Sequence, residues 1–118
     1  MTTDWDDSVP IYLQLRDEVL HGILSGRFAE GEAVPSVRQV AADEKINPIT
    51  VSKAYQMLAD EGLLEKRRGL GMFVAGGARS QAAEQERKTF IEQEWPRIVN
   101  RIQSLGLDTE TLLKEVQS

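Results

Sequence analysis

The 118-residue chain contains no cysteine. That removes disulfides, thiolate zinc sites and cysteine nucleophiles, and it suits a reducing compartment, so the expected location is cytoplasmic. No apolar run approaches the roughly 18 residues a membrane span needs, and the stretch 1–7 is acidic where a secretory signal is basic. No membrane partner is expected. Histidine occurs once, as His21, on an amphipathic stretch where it reads as a packed or solvated residue rather than a general base. Calcium-loop spacing is lacking after Asp4, Asp6 and Asp7, which read as a frayed, solvated tail. Gly69-Leu70-Gly71 lacks the strand-to-helix setting and further glycine of a dinucleotide loop, and there is no lysine-serine phosphate loop. An enzyme is therefore not expected, and neither a cofactor nor a metal is implied.

Net positive charge is also lacking, at −5 for the whole chain, which on its face argues against a nucleic-acid partner. The average conceals three unlike segments. Residues 1–33 carry two basic against seven acidic residues, and residues 80–118 carry five against seven. Residues 34–79 carry seven basic against five acidic residues and form the only net-positive part.

Hydrophobic spacing predicts a first helix from Pro10 to about Ser25, with Ile11, Leu15, Val19 and Ile23 recurring every four residues. Ser8 or Val9 is the expected cap, Pro10 falls in the first turn, and Gly26 is a left-handed stop. A loop follows and ends in a short extended piece at Ala33 and Val34. Ser36 caps a second helix to about Asp43, with Val37, Val40 and Ala41 on its inner face. Asn47 followed by Pro48 opens a third helix to about Glu61, with Val51, Ala54, Tyr55 and Leu58 inside. Two short helices joined by a tight turn must bury their faces against each other and the first helix. After Gly62, Leu63–Glu65 and Met72–Val74 predict a hairpin whose tip concentrates Lys66, Arg67 and Arg68 beside two glycines.

Ala75 to Ala83, rich in Gly, Ala and Ser, reads as a linker. Beyond it Ile91, Trp95, Ile98, Ile102 and Leu105 step by 4, 3, 4 and 3, a heptad seam that suits dimerisation. Pro96 lies inside the seam and should kink or divide the helix near Glu92. Gly106 and Leu107 end that helix, and Asp108 caps a last one.

The expected architecture is mainly α with a small β-hairpin: a winged helix-turn-helix DNA-binding domain over 1–76, then a linker and helical dimerisation region over 77–118. In such a fold the third helix enters the major groove while the hairpin touches adjacent phosphates or the minor groove. Asn47, Thr50, Ser52 and Lys53 cluster on the outer, N-terminal half of that helix, where short polar side chains reach base edges and a lysine reaches phosphate or guanine. Arg38, just after a helix cap, is placed as a phosphate clamp. Similar three-helix cores with hairpins also serve as protein-interaction modules, which is the alternative reading.

Pro10-Ile11-Tyr12-Leu13-Gln14-Leu15, Val34-Pro35-Ser36-Val37-Arg38, Asn47-Pro48-Ile49-Thr50-Val51, Glu61-Gly62-Leu63-Leu64 and Arg68-Gly69-Leu70-Gly71-Met72-Phe73-Val74, taken in order, resemble the DNA-binding domain of GntR-family bacterial transcription regulators. The short C-terminal part resembles the YtrA subfamily, which has a small helical dimerisation region in place of an effector domain. The resemblance implies a homodimer on double-stranded DNA at an inverted repeat, commonly a repressor and often of a transporter operon. It also implies that Arg38 contacts the backbone or a guanine, that Asn47, Pro48 and Thr50 face the groove, and that Arg68 and Gly69, next to Arg67, form the wing tip. Several relatives carry arginine where this chain has Pro48 and Ser52, so their base preferences do not transfer, and Val34 replaces a usual leucine. Any small-molecule effector is left open.

Overall fold

Apolar spacing in the first third of the chain is realised as helix α1, Ile11–Ser25, whose Leu15, Val19, Leu20 and Ile23 are buried. The structure is a computed structural model and describes residues 4–117. Pro10 is itself the cap residue of α1, with extended dihedrals, rather than a first-turn residue. Ser8 instead belongs to a turn in which its N–H and hydroxyl both donate to Asp6 Oδ1, at 2.9 and 2.7 Å. These bonds hold the Asp6 carboxyl below its ordinary pKa.

From Trp5 onward the chain before α1 is tied down. Gln14 donates to the carbonyls of Asp6 and Val9 and accepts from the Asp6 N–H, and Trp5 packs on the core. Polar spacing marks the acids, but a glutamine eight residues downstream decides whether the strand of chain is tied down.

Helix α2, Val37–Glu44, starts at Ser36, whose side chain accepts the Gln39 N–H, and ends at Lys45 in the left-handed region with φ 55°. Helix α3, Pro48–Asp60, starts at Asn47, whose side chain accepts the Ile49 N–H, with Pro48 in the first turn. The three helices share one core, in which Val51, Ala54 and Leu58 are fully buried. At the far end of α3, Arg16 of α1 donates from Nε to Glu61 Oε1 at 3.0 Å and from Nη2 to Oε2 at 2.8 Å, a two-pronged bond that a lysine could not make.

Strands β1, Leu64–Arg67, and β2, Gly71–Val74, pair antiparallel with Leu64 opposite Val74 and Lys66 opposite Met72. Ala33 bridges to Phe73, and the Val34 N–H donates to the Met72 carbonyl at 3.0 Å. The expected extended piece thus adds a third, minimal strand on the free edge of β2. The Ser36 and Asn47 caps follow their sequence signals, since each is set by residues within three positions, and the paired strands form where the hairpin was expected.

From Ala78 the expected linker is helical. Helix α4 spans Ala78–Thr89, and Ala78 and Ala82 are fully buried in the core. Small residues that read as flexible in sequence are small here because they pack closely. Compactness divides the chain into residues up to Ala83 and those from Glu84 onward.

In the second unit, α4 passes into a five-residue π-helical turn, Phe90–Glu94, followed by α5, Trp95–Ser104, with Pro96 in its first turn. The disturbance predicted from Pro96 therefore takes the form of a widened turn. The wider turn relieves the clash between the proline ring and the carbonyl of Glu92 without breaking the rod. Gly106, at φ 71°, ends α5, and α6, Thr109–Gln117, starts after Asp108, which accepts the Thr111 hydroxyl.

Candidate nucleic-acid interface

Burial of Val51, Ala54, Tyr55 and Leu58 fixes which side of α3 faces outward. At 3.6 residues per turn the opposite side carries Ile49, Ser52, Lys53 and Gln56, and all four are exposed. Thr50 sits on the flank of this stripe and is only half exposed, whereas Asn47 and Pro48 are exposed at its start. Asn47 is committed in part, because its side-chain oxygen accepts the Ile49 N–H at 2.9 Å. Its amide hydrogens are what it presents outward.

Lys53 does not extend freely. Its Nζ lies 3.9 Å from the centroid of the Tyr12 ring on α1, a cation–π contact that steadies the ammonium on the outer side of α3. The two residues lie far apart in sequence, so no local spacing announces the pairing. Gln56 is turned along the helix to Asp60 at 2.9 Å. Arg38, exposed on α2, borders the same shallow concavity as Ile46 and Pro48, which brings it beside the start of α3.

The hairpin separates its cations. Lys66 and Arg67 lie in β1 and not at the tip, and the turn itself is Arg68-Gly69-Leu70. Gly69 holds φ 77°, a left-handed conformation that closes the turn and leaves its backbone bare. Strand alternation then sends Lys66 and Arg67 to opposite faces. Arg67 lies on the face of Glu65 and Phe73, 3.6 Å from the Glu65 carboxylate and 4.1 Å from the Phe73 ring centroid. Lys66 is turned toward α3.

Between α3 and the hairpin runs a groove of about 270 Å³, lined by Pro35, Ser36, Ser52, Tyr55, Lys66, Leu70 and Met72. Its floor is rigid. The Tyr55 hydroxyl donates to the Pro35 carbonyl at 2.6 Å, and burial pushes its pKa well above 10.0. The sequence reading singled out Ser52 but placed Lys66 at the hairpin tip with Arg67 and Arg68, although period-two alternation from the buried Leu64 points Lys66 to this side. It also passed over two exposed apolar residues, Ile49 at 74% and Leu70 at 71%.

This surface suits a polyanion with a grooved surface. Arg38, Lys53, Lys66 and Arg68 supply exposed positive charge, α3 supplies an exposed rod whose start is capped by Asn47, and Gly69 admits close backbone approach. Among the described residues, no group of three or more histidine, aspartate or glutamate side chains is placed to hold a metal ion, and no helix is long and apolar enough to cross a membrane.

In the second unit the seam residues lie on the surface. Ile91 is 62% exposed, Ile98 42% and Leu105 60%, with Trp95 and Ile102 half-buried. Phe90, outside the heptad pattern, joins them through a tilted ring contact with Trp95 at 6.3 Å between centroids. Residues five apart are neighbours only where the helix widens to a π turn, which is why heptad counting misses Phe90.

Residues 11–74 match the model of a family described as bacterial regulatory proteins, gntR family. The chain is 32% identical over 114 residues to the HTH-type transcriptional repressor YtrA of Bacillus subtilis, covering 94% of this chain and 87% of that protein. It is 28% identical over 118 residues to the HTH-type transcriptional regulator YhcF of the same organism, covering 100% of this chain and 96% of that protein. Among solved structures, a GntR family transcriptional regulator from Listeria monocytogenes superposes with a TM-score of 0.77 at 26% identity, over 96% of this chain and 97% of that one.

Proposed function

We propose that this chain, which belongs to the gntR family of bacterial regulatory proteins, represses transcription by holding an inverted-repeat DNA site as a homodimer. It works by binding and not by catalysis. The observation that carries the reading is the exposed outer stripe of α3, flanked by Arg38 on one side and by the groove with Ser52 and Lys66 on the other.

The N-terminal half of α3 enters the major groove. Asn47 contributes amide hydrogens to base or phosphate acceptors while its oxygen caps the helix. Ser52 reads from the groove side, Thr50 from the flank, and Pro48 keeps the helix start rigid. Arg38 and Lys53 bind phosphates on either side of the helix axis, Lys53 from its perch on Tyr12. The wing places Arg68 and the bare backbone of Gly69 against the neighbouring strand, with Lys66 at the groove and Arg67 braced by Glu65 and Phe73.

The C-terminal helices supply the dimer. Ile91, Trp95, Ile98, Ile102 and Leu105, with Phe90, form an apolar surface that a second copy covers by two-fold symmetry. Two recognition helices so joined demand a two-fold related site. Repression by occlusion needs nothing more than this occupancy, in keeping with the repressor among the relatives, and the cytoplasm is where the site would be met.

The test is selection from a random double-stranded DNA pool at near-physiological salt, where non-specific binding is weak. The expected result is an enriched inverted repeat bound by two chains. Folded protein that enriches nothing overturns the reading in favour of a protein-interaction module.

A further inference from the structure

Among the described residues of the first unit, Ile49 is the most exposed large apolar one, at 74%, and it stands in the first turn of α3. A lone surface isoleucine needs no explanation by itself. This one occupies the part of a recognition helix that approaches base edges, between polar or cationic neighbours Asn47, Ser52 and Lys53 that are all exposed. Its side chain offers no hydrogen-bond donor or acceptor, so it can read only an apolar feature. In the major groove the four bases present donors and acceptors, and the single alkyl group among them is the C5 methyl of thymine.

The geometry also prepares the contact. A β-branched side chain in a helix holds essentially one χ1 rotamer, so Ile49 gives up little freedom on docking. Its own N–H is fixed by Asn47 Oδ1 at 2.9 Å, and Pro48 stiffens the turn before it. No described ring or ion pair crosses in front of it, whereas Lys53 is drawn toward Tyr12.

We propose that Ile49 is a specificity-determining residue that selects thymine, by methyl contact, at one position in each half of the DNA site. The inference rests on the DNA-binding reading above. It sets one base of the half-site by exclusion of water from an alkyl pair, while the polar residues around it set others.

The probe is the most enriched duplex from the random pool, with each thymine in turn replaced by deoxyuridine in both halves, which removes only the methyl group. For the unmodified protein, one symmetry-related thymine pair is expected to weaken binding about tenfold on replacement, from about three- to fourfold per buried methyl. In Ile49→Ala the same replacement should change affinity less than twofold, and Ile49→Val should keep most of the discrimination. Ile49→Ala should melt like the parent protein, since the side chain supports no packing. A duplex with no methyl-sensitive thymine, or one whose sensitivity is equal in Ile49→Ala, overturns the assignment while leaving the DNA-binding reading intact. Failure to enrich any duplex removes both together.

Discussion

Sixteen apolar residues of the described chain are buried, from Leu15 to Ala82, and every one lies in the first unit. From Glu84 onward no described residue is buried, although Phe90, Ile91, Ile98, Leu105, Leu107, Leu113 and Val116 are large, apolar and exposed. The two regions do not differ in having apolar residues at helical spacing. They differ in where the matching face is found. In the first, α1, α2, α3 and the hairpin supply faces to one another. In the second, the described helices leave their apolar side exposed, the side that the proposed second copy would cover.

Four substitutions sharpen that contrast, and a fifth tests the function attached to it. Leu58→Ala, in the middle of the first core, should cost about 3 kcal/mol of folding stability, read as a lowered denaturation midpoint in urea. Ile98→Asp should leave that midpoint unchanged while weakening self-association roughly 30-fold, about 2 kcal/mol, in sedimentation equilibrium. A single melting transition displaced equally by both changes would break the distinction between self-contained and shared cores.

Arg38→Ala should weaken DNA binding by about 1 kcal/mol for all sequences alike and reduce the slope of log affinity against log salt by about one. An unchanged slope would remove the phosphate contact. Tyr55→Phe should cost about 1 kcal/mol at neutral pH by orphaning the Pro35 carbonyl. It should also flatten the alkaline limb of stability. Burial raises the folded hydroxyl's pKa above the ordinary 10.0, so the contribution is full below pH 10 and is lost as pH climbs beyond it, where only the unfolded chain ionises. Smallest is Lys45→Gly, which should gain about 0.5 kcal/mol by relieving a left-handed non-glycine backbone.

Legibility followed the range of the interaction. The Ser36 and Asn47 caps, the inner face of α3 and the paired strands were readable because each depends on residues a few positions apart. Helix α4 was not, since Ala78 and Ala82 look like linker until the core they fill is known. Pro10 as cap and the anchored segment around Asp6 depend on Gln14, a polar residue with no pattern of its own. Arg38 lies beside the start of α3, and Ser52 lines the groove between α3 and the hairpin, both places their sequence positions could give. The perch of Lys53 on Tyr12 depends on the packing of α1 against α3. Lys66 was recoverable: alternation from Leu64 separates it from Arg67, and the run of three cations obscured that.

The π turn at Phe90–Glu94 acts on the helix as an insertion of one residue would. Each α-helical residue advances the side chain by about 100°, so a turn that takes up one more residue sets everything downstream back by a little over a quarter circle. Trp95, Ile98, Ile102 and Leu105 therefore keep one phase among themselves, and Phe90 enters that phase from the far side of the turn. Removing a single residue from 90–94 would leave the composition of the apolar side almost untouched and yet point its two halves in different directions. The direction in which this apolar surface faces is thus set by a count of residues as much as by their identity.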